Sequence, residues 1–205
     1  DISSLNHKSF GGAKYWLLIL DEATNYIWIY FLSAQSELPT TVIEWIKQIQ
    51  KEQHFTVQKI RCDNAGEHKT LHTEIAKDKD LNIQFEFTAP YTPQQNGRIE
   101  RKFATLWGKV RAMLNGAHLP WELRNKLWAQ CAYLATKLEN IIVSNHTTPY
   151  ELMHNTKPTW LHNLHTFGEI AIVHDGEHAK IKAKLRNKGL VAMFVGYPDN
   201  HAGEV

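Results

Sequence analysis

Two apolar runs near the start of the chain, Lys14 to Leu20 (K-Y-W-L-L-I-L) and Tyr26 to Leu32 (Y-I-W-I-Y-F-L), constrain the fold more than any other feature. Each has strand length and is rich in aromatic and β-branched residues, which suit a pleated surface. The polar link Asp21 to Asn25 is short, so the pair reads as an antiparallel hairpin. Neither run alternates apolar with polar residues, so both faces of the sheet must be covered by helices. At 205 residues and 43% hydrophobic, the chain can build a substantial core of this kind.

The remaining pattern supplies those helices. Asp1 to Ser4 reads as the end of a strand, and Asn6 to Gly12 as a turn pivoting on Gly11-Gly12. Ser36 is a candidate N-cap for a helix whose buried stripe is Val42, Ile43, Trp45, Ile46 and Ile49. Val57 to Cys62 is the next strand, followed by Asp63-Asn64-Ala65-Gly66, which by itself makes a good turn. A short helix from about Thr70 to Lys79 leads to a strand at Ile83 to Phe87. Next comes Thr88 to Lys102, T-A-P-Y-T-P-Q-Q-N-G-R-I-E-R-K, where Pro90, Pro93, Asn96 and Gly97 predict an extended loop. A long helix is expected from about Gly97 to Asn115, with Ile99, Phe103, Leu106, Trp107, Val110 and Leu114 on its buried side. Pro120 to about Val143 is expected as another long helix, and Thr148-Pro149-Tyr150-Glu151 as the start of a short one. From Thr166 onward short strands are expected at Glu169 to His174 and Leu190 to Gly196. This order predicts an α/β domain with a mixed sheet flanked by helices.

Charge and cysteine usage narrow the partners. The formal charge is +2 and the isoelectric point about 8.5, so any nucleic-acid surface must come from local clustering. Arg98, Arg101 and Lys102 around Glu100 form one cluster. Lys180, Lys182, Lys184, Arg186 and Lys188 form another, which suits a solubilising loop or edge strand or, in the context of the resemblance given below, a DNA-backbone contact. Cys62 and Cys131 are far apart and form no C-x-x-C pair, which argues against a disulfide framework. His162/His165 and His174/His178 have ligand-like spacing, but without paired cysteines they are a weak zinc signal. There is no signal peptide or apolar run of membrane-spanning length. A chain that starts at Asp1 without methionine reads as a piece of a longer polypeptide.

Three acidic residues fall where sites in open α/β sheets collect, at strand ends and helix starts. Asp1 is on the first strand, Asp63 ends a later one, and Glu100 lies in the first turns of the long helix. Two aspartates on neighbouring strands and a helical glutamate can hold two hard divalent cations through oxygen. Such ions, about 3.5–4 Å apart, stabilise the attacking and leaving oxygens of an in-line phosphoryl displacement. The residues alone leave this open. Asp63 also suits a simple turn, Glu100 a solvated helix start, and Asp21-Glu22 is a competing acidic pair.

A resemblance chooses among them. D-I-S-S-L, F-G-G-A-K-Y-W-L-L-I-L-D-E, I-R-C-D-N-A-G-E and T-A-P-Y-T-P-Q-Q-N-G-R-I-E-R-K occur in that order, with L-P-W-E-L and T-T-P-Y-E-L-M-H-N-T-K-P after them. Together they closely resemble the integrase region of copia-type LTR retrotransposon polyproteins, over about the first 155 residues. The string Y-T-P-Q-Q-N-G-x-x-E-R is the most specific part. The tail, with H-T-F-G-E-I-A-I-V-H and G-L-V-A-M-F-V-G-Y-P-D-N-H-A-G-E, is more loosely similar to the small SH3-like barrel that follows the catalytic core in that family. Three departures stand out: the His/Cys zinc segment and the strand leading into Asp1 are not in the sequence, and Asp21-Glu22 replaces a usual pair of aspartates.

The resemblance implies a ribonuclease-H-like catalytic core over residues 1–160 and an incomplete SH3-like barrel over 161–205. It implies a catalytic and metal-binding triad of Asp1, Asp63 and Glu100, the last two 100 − 63 = 37 positions apart. The implied cofactor is Mg2+ or Mn2+, as two ions. The implied activity is 3′-end processing and strand transfer of retrotransposon DNA into target DNA, by a polynucleotidyl transferase. Candidate DNA contacts are Asn64, Gln94, Gln95, Asn96, Arg98, Arg101 and Lys102. The implied partners are double-stranded DNA and further copies of the chain, with no membrane. The implied site of action is the nucleus, after a cytoplasmic virus-like-particle stage. A ribonuclease-H-like nuclease that only hydrolyses, and an inactive DNA-binding remnant of a degenerate element, are the alternatives.

Overall fold

A computed structural model of the protein describes residues 1–53, 55–88, 93–174 and 189–197. It divides into two compact units, Asp1–Leu106 and Trp107–Val205.

In the first unit, β1 (Ile2–Ser4), β2 (Tyr15–Leu20) and β3 (Ile27–Leu32) form an antiparallel sheet in that order. The β2–β3 hairpin is the one expected from the two apolar runs. Asp21 closes its turn, accepting from both the N–H and the hydroxyl of Thr24, and Asn25 takes the left-handed conformation. Successive strand residues point to opposite faces, and the register Tyr15–Leu32, Leu17–Tyr30 and Ile19–Trp28 collects six large side chains on one of them. That face packs against Val42, Trp45, Ile46 and Ile49 of α1 (Leu38–Gln53) and Leu71 and Ile75 of α2 (Gly66–Lys77). Trp16, on the other face, is fully buried and meets Phe103 of α3 (Pro93–Gly116) edge-on, with ring centroids 5.5 Å apart. The hairpin is thus covered from both sides. β4 (Lys59–Cys62) and β5 (Gln84–Phe87) form a separate parallel pair, connected through α2.

Three expected helix limits need correction, and the strands expected from Val57 and over Leu190 to Gly196 are the shorter β4 and the strand Gly189–Met193. α2 begins at Gly66, not near Thr70, because the Asp63 carboxylate accepts the Ala65 N–H and leads the chain straight into the helix. α3 begins at Pro93, not at Gly97. Proline has no N–H to leave unpaired in a first turn and its fixed φ suits that position, so a residue read as a breaker starts the helix. Gln94, Gln95 and Asn96 therefore belong to the helix and not to a loop. The expected helix over 120–143 is two helices, α4 (Trp121–Lys126) and α5 (Trp128–Asn140). At the join, Leu127 has φ −93° and ψ 7°, and Leu127 and Trp128 are both buried despite being adjacent.

The second unit contains the end of α3, then α4, α5, α6 (Pro149–His154) and an antiparallel pair, β6 (Ile170–His174) and β7 (Gly189–Met193). The rings of Trp107 and Trp128 lie 6.4 Å apart, and the Cys131 thiol approaches the Val110 carbonyl at 3.6 Å. T-P-Y-E starts α6 as a capping box: Thr148 accepts from the Glu151 N–H, and Glu151 accepts from the Thr148 N–H. Gly168 has φ +86°, and a Cβ there would lie 2.5 Å from that of Ala117, so only glycine fits. The Lys180 to Lys188 stretch and His178 lie outside the described residues. Among the described residues, no helix is long and apolar enough to cross a membrane.

Candidate active site

Asp1 sits just before β1. Its carbonyl accepts from the Leu18 N–H and its nitrogen donates to the Leu18 carbonyl, both at 2.8 Å, extending the β1–β2 ladder by one residue. Cys62 and Asp63, at the end of β4, lie close enough to that buried nitrogen to act on it electrostatically. The ends of β1 and β4 are therefore neighbours, although no ladder joins them among the described strands. The Asp1 carboxylate accepts from the Ile2 N–H on Oδ1 and, weakly at 3.4 Å, from the Asn96 side chain on Oδ2.

Asp63 follows the last residue of β4. Its Oδ1 accepts from the Ala65 N–H at 3.0 Å and lies 2.6 Å from Nδ1 of His68. Burial works against its charge, but the Ala65 N–H and His68 outweigh burial and hold the carboxyl below its ordinary value. The adjoining Cys62 behaves oppositely, its thiol pushed up to about 11 by burial. Cys62 is buried whereas the Asp63 side chain is 44% exposed, so this corner presents carboxylate oxygen, which suits hard divalent cations. Sequence reasoning alone misses His68. The signal was there, a histidine five residues after Asp63, but it gains meaning only once α2 is known to start at Gly66.

α3 brings the third element. Asn96 contacts Asp1, and Glu100, four residues on, shares that face of the helix. Glu100 itself is exposed and has no hydrogen-bond partner among the described residues. Among those residues no three His, Cys, Asp or Glu side chains converge into a metal site. Asp1 thus lies beside the end of β4 that carries Asp63, and Glu100 shares the α3 face of Asn96, with no convergence of the three carboxylates among the described residues.

The expected DNA contacts fall into two groups. Asn64 donates to the Thr88 carbonyl at 2.9 Å, and Arg98 donates to the Glu22 carbonyl at 2.9 Å and the Asn25 side chain at 2.6 Å. With Asn96, these residues are engaged within the first unit. Arg101 is exposed and Lys102 half-buried on α3. Gln94 and Gln95 lie in its first turn, with side chains outside the described set.

No protein-family model matches the chain. It is similar to the retrovirus-related Pol polyprotein from transposon TNT 1-94 of Nicotiana tabacum, 28% identical over 196 residues. That alignment covers 96% of this chain and 14% of the polyprotein, so the chain spans a small part of its relative. Among solved structures it is similar to the catalytic core domain of BIV integrase, with a TM-score of 0.53 and 19% identity over 76% of this chain and 91% of that one. A simian T-cell lymphotropic virus intasome in complex with PP2A regulatory subunit B56 gamma gives a TM-score of 0.55 and 16% identity, over 92% of this chain and 64% of that one. The sequence likeness is to retrotransposon Pol polyproteins, and the fold is the ribonuclease-H-like one of retroviral integrase catalytic cores.

Proposed function

We propose that this chain is the catalytic part of an integrase, trimming the ends of retrotransposon DNA and joining them to target DNA. The observation that carries this reading is Asp1 beside the end of β4 that carries Asp63, with Asn96 of α3 on the Asp1 carboxylate and Glu100 on the same helix face. A carboxylate set of this kind fits magnesium or manganese, and Asp1, Asp63 and Glu100 would hold the ions, two in number. When bound, such ions stabilise the attacking and leaving oxygens of an in-line displacement.

The chain's own residues prepare that chemistry. Asp63 stays ionised because the Ala65 N–H and His68 support its charge. Asn96 and the Ile2 N–H orient Asp1. Arg98 fastens the start of α3 to the hairpin turn.

In the first step water attacks phosphorus in a phosphodiester near the element's end. One P–O bond forms, the bond to O3′ breaks, and that oxygen takes a proton to become a free hydroxyl. In the second step this hydroxyl attacks a target phosphodiester, and a target O3′ leaves as its own bond breaks. Bonds exchange one for one, so neither ATP nor a covalent protein intermediate is needed.

Gln94, Gln95, Arg101 and Lys102, all on α3, are proposed DNA contacts. Asn64, Asn96 and Arg98 would reach DNA with the donors their internal bonds leave over. Joining two DNA ends calls for more than one copy of the chain. Residues 1–160 are read as the catalytic core, and the β6–β7 pair supports 161–205 as the start of an SH3-like barrel. Action in the nucleus after a cytoplasmic particle stage belongs to the same proposal.

The test is an oligonucleotide assay with Mn2+ and a labelled duplex ending in the element's terminal sequence. Products longer than the labelled strand support strand transfer. Cleavage of RNA–DNA hybrids without joined products overturns the proposal in favour of a hydrolytic nuclease.

A further inference from the structure

We infer that His68 is a positioning residue for Asp63: its buried Nδ1–H fixes the Asp63 carboxylate so that one oxygen is held by the protein and the other is presented to a divalent cation. The inference rests on the proposed metal role of Asp63. His68 lies in the first turn of α2, with its side chain 4% exposed, whereas that of Asp63 is 44% exposed. The partner behind the carboxylate is thus rigidly seated, and the carboxylate itself faces outward.

Among the described residues, both bonds to the Asp63 side chain fall on Oδ1, from the Ala65 N–H at 3.0 Å and from His68 at 2.6 Å. Two donors from different directions on one oxygen set both side-chain torsions, and neither uses Oδ2. An ionised carboxylate only accepts, so the hydrogen between Nδ1 and Oδ1 belongs to the imidazole. Asp63 is a strand-end residue beside an exposed corner, where an aspartate held by one backbone N–H would sample several rotamers. The imidazole removes that freedom before the metal arrives. Hydrogen-bond partners behind a ligand typically change metal affinity about 10–100-fold when removed.

The test measures Mn2+ binding to the full 205-residue chain by titration calorimetry, with no DNA present. His68→Phe keeps a ring in the buried site and removes the donor. His68→Asn places an amide N–H close to where Nδ1–H stood. We expect Mn2+ affinity to fall about 10-fold in His68→Phe and to return to within about threefold of the parent in His68→Asn. Far-ultraviolet circular dichroism of both variants should match the parent. Should His68→Phe fail to fold, His68→Gln takes its place, since its amide extends toward the Nε2 position and not Nδ1.

Equal affinity in the parent and the donor-less variant would overturn the inference, as would equal losses in His68→Asn and the donor-less variant. Asp63→Asn separates this from the underlying reading. If that variant binds Mn2+ like the parent, Asp63 is no ligand and both fall. If it loses binding while His68→Phe does not, only the role of His68 falls.

Discussion

Replacing Arg98 with Ala tests how the start of α3, and with it Asn96 and Glu100, is held in place. The guanidinium reaches the β2–β3 turn through two hydrogen bonds, at 2.9 Å to the Glu22 carbonyl and 2.6 Å to the Asn25 side chain. A buried bond to a charged donor contributes about 1.5–3 kcal/mol, but Arg98 is exposed and water competes. The pair together is therefore worth about 1 kcal/mol, which raises the population with a frayed first turn about fivefold. Amide hydrogen exchange over Gly97 to Arg101 reads this directly, since those N–H groups make the first bonds within the helix. In Arg98→Ala they should exchange about fivefold faster, with the amides after Phe103 unchanged. A residue acting only as a phosphate contact predicts something else: unaltered exchange, and a salt slope of DNA binding shallower by about 0.9. Unaltered exchange in Arg98→Ala would refute the view that this clasp seats the helix.

Three further outcomes follow from the contacts described. Thr148→Ala removes the capping box at α6 and should lower stability by about 1 kcal/mol, read as the denaturation midpoint at constant slope. Phe103→Leu keeps the apolar contact on Trp16 and loses its edge-on ring pairing, costing about 1 kcal/mol; a double-mutant cycle with Trp16→Leu should recover a coupling of that size. The Asp63 carboxyl is held below its ordinary value, so it adds stability above the usual carboxylate range and loses it as pH falls through its own lower value. Acid unfolding profiles should therefore be flatter below about pH 4 in Asp63→Asn than in the parent.

Local chemistry was the legible part of this chain. The two apolar runs announced a hairpin covered on both faces, and Trp16 on α3 with Leu17 on α1 and α2 bear that out. T-P-Y-E announced a helix start because its bonds all lie within four residues. Pro93 misled because proline breaks a helix interior but suits its first turn, and only the fold distinguishes the two. Leu127 misled because helical spacing on both sides hid a join at which two adjacent side chains turn inward. Among the acids, periodicity could not separate Asp21 from Asp1 or Asp63. The motifs chose, and the structure adds that Asp21 is spent on the hairpin turn while Asp1 lies beside the end of β4 that carries Asp63. His68 and the Arg98 clasp stayed hidden because each depends on where a helix begins.

Asp1, Asp63 and Glu100 are proposed to act as one site, and Glu100 is the member whose side chain has no partner among the described residues. Strand transfer by purified Glu100→Gln, measured beside the parent chain in Mn2+ with the same labelled duplex, tests this most directly. The substitution keeps size and polarity and removes one charge from an exposed position, so circular dichroism and the unfolding midpoint should not move. Joined products are expected from the parent and none from Glu100→Gln. Joined products from Glu100→Gln at the parent's level would contradict the proposed site.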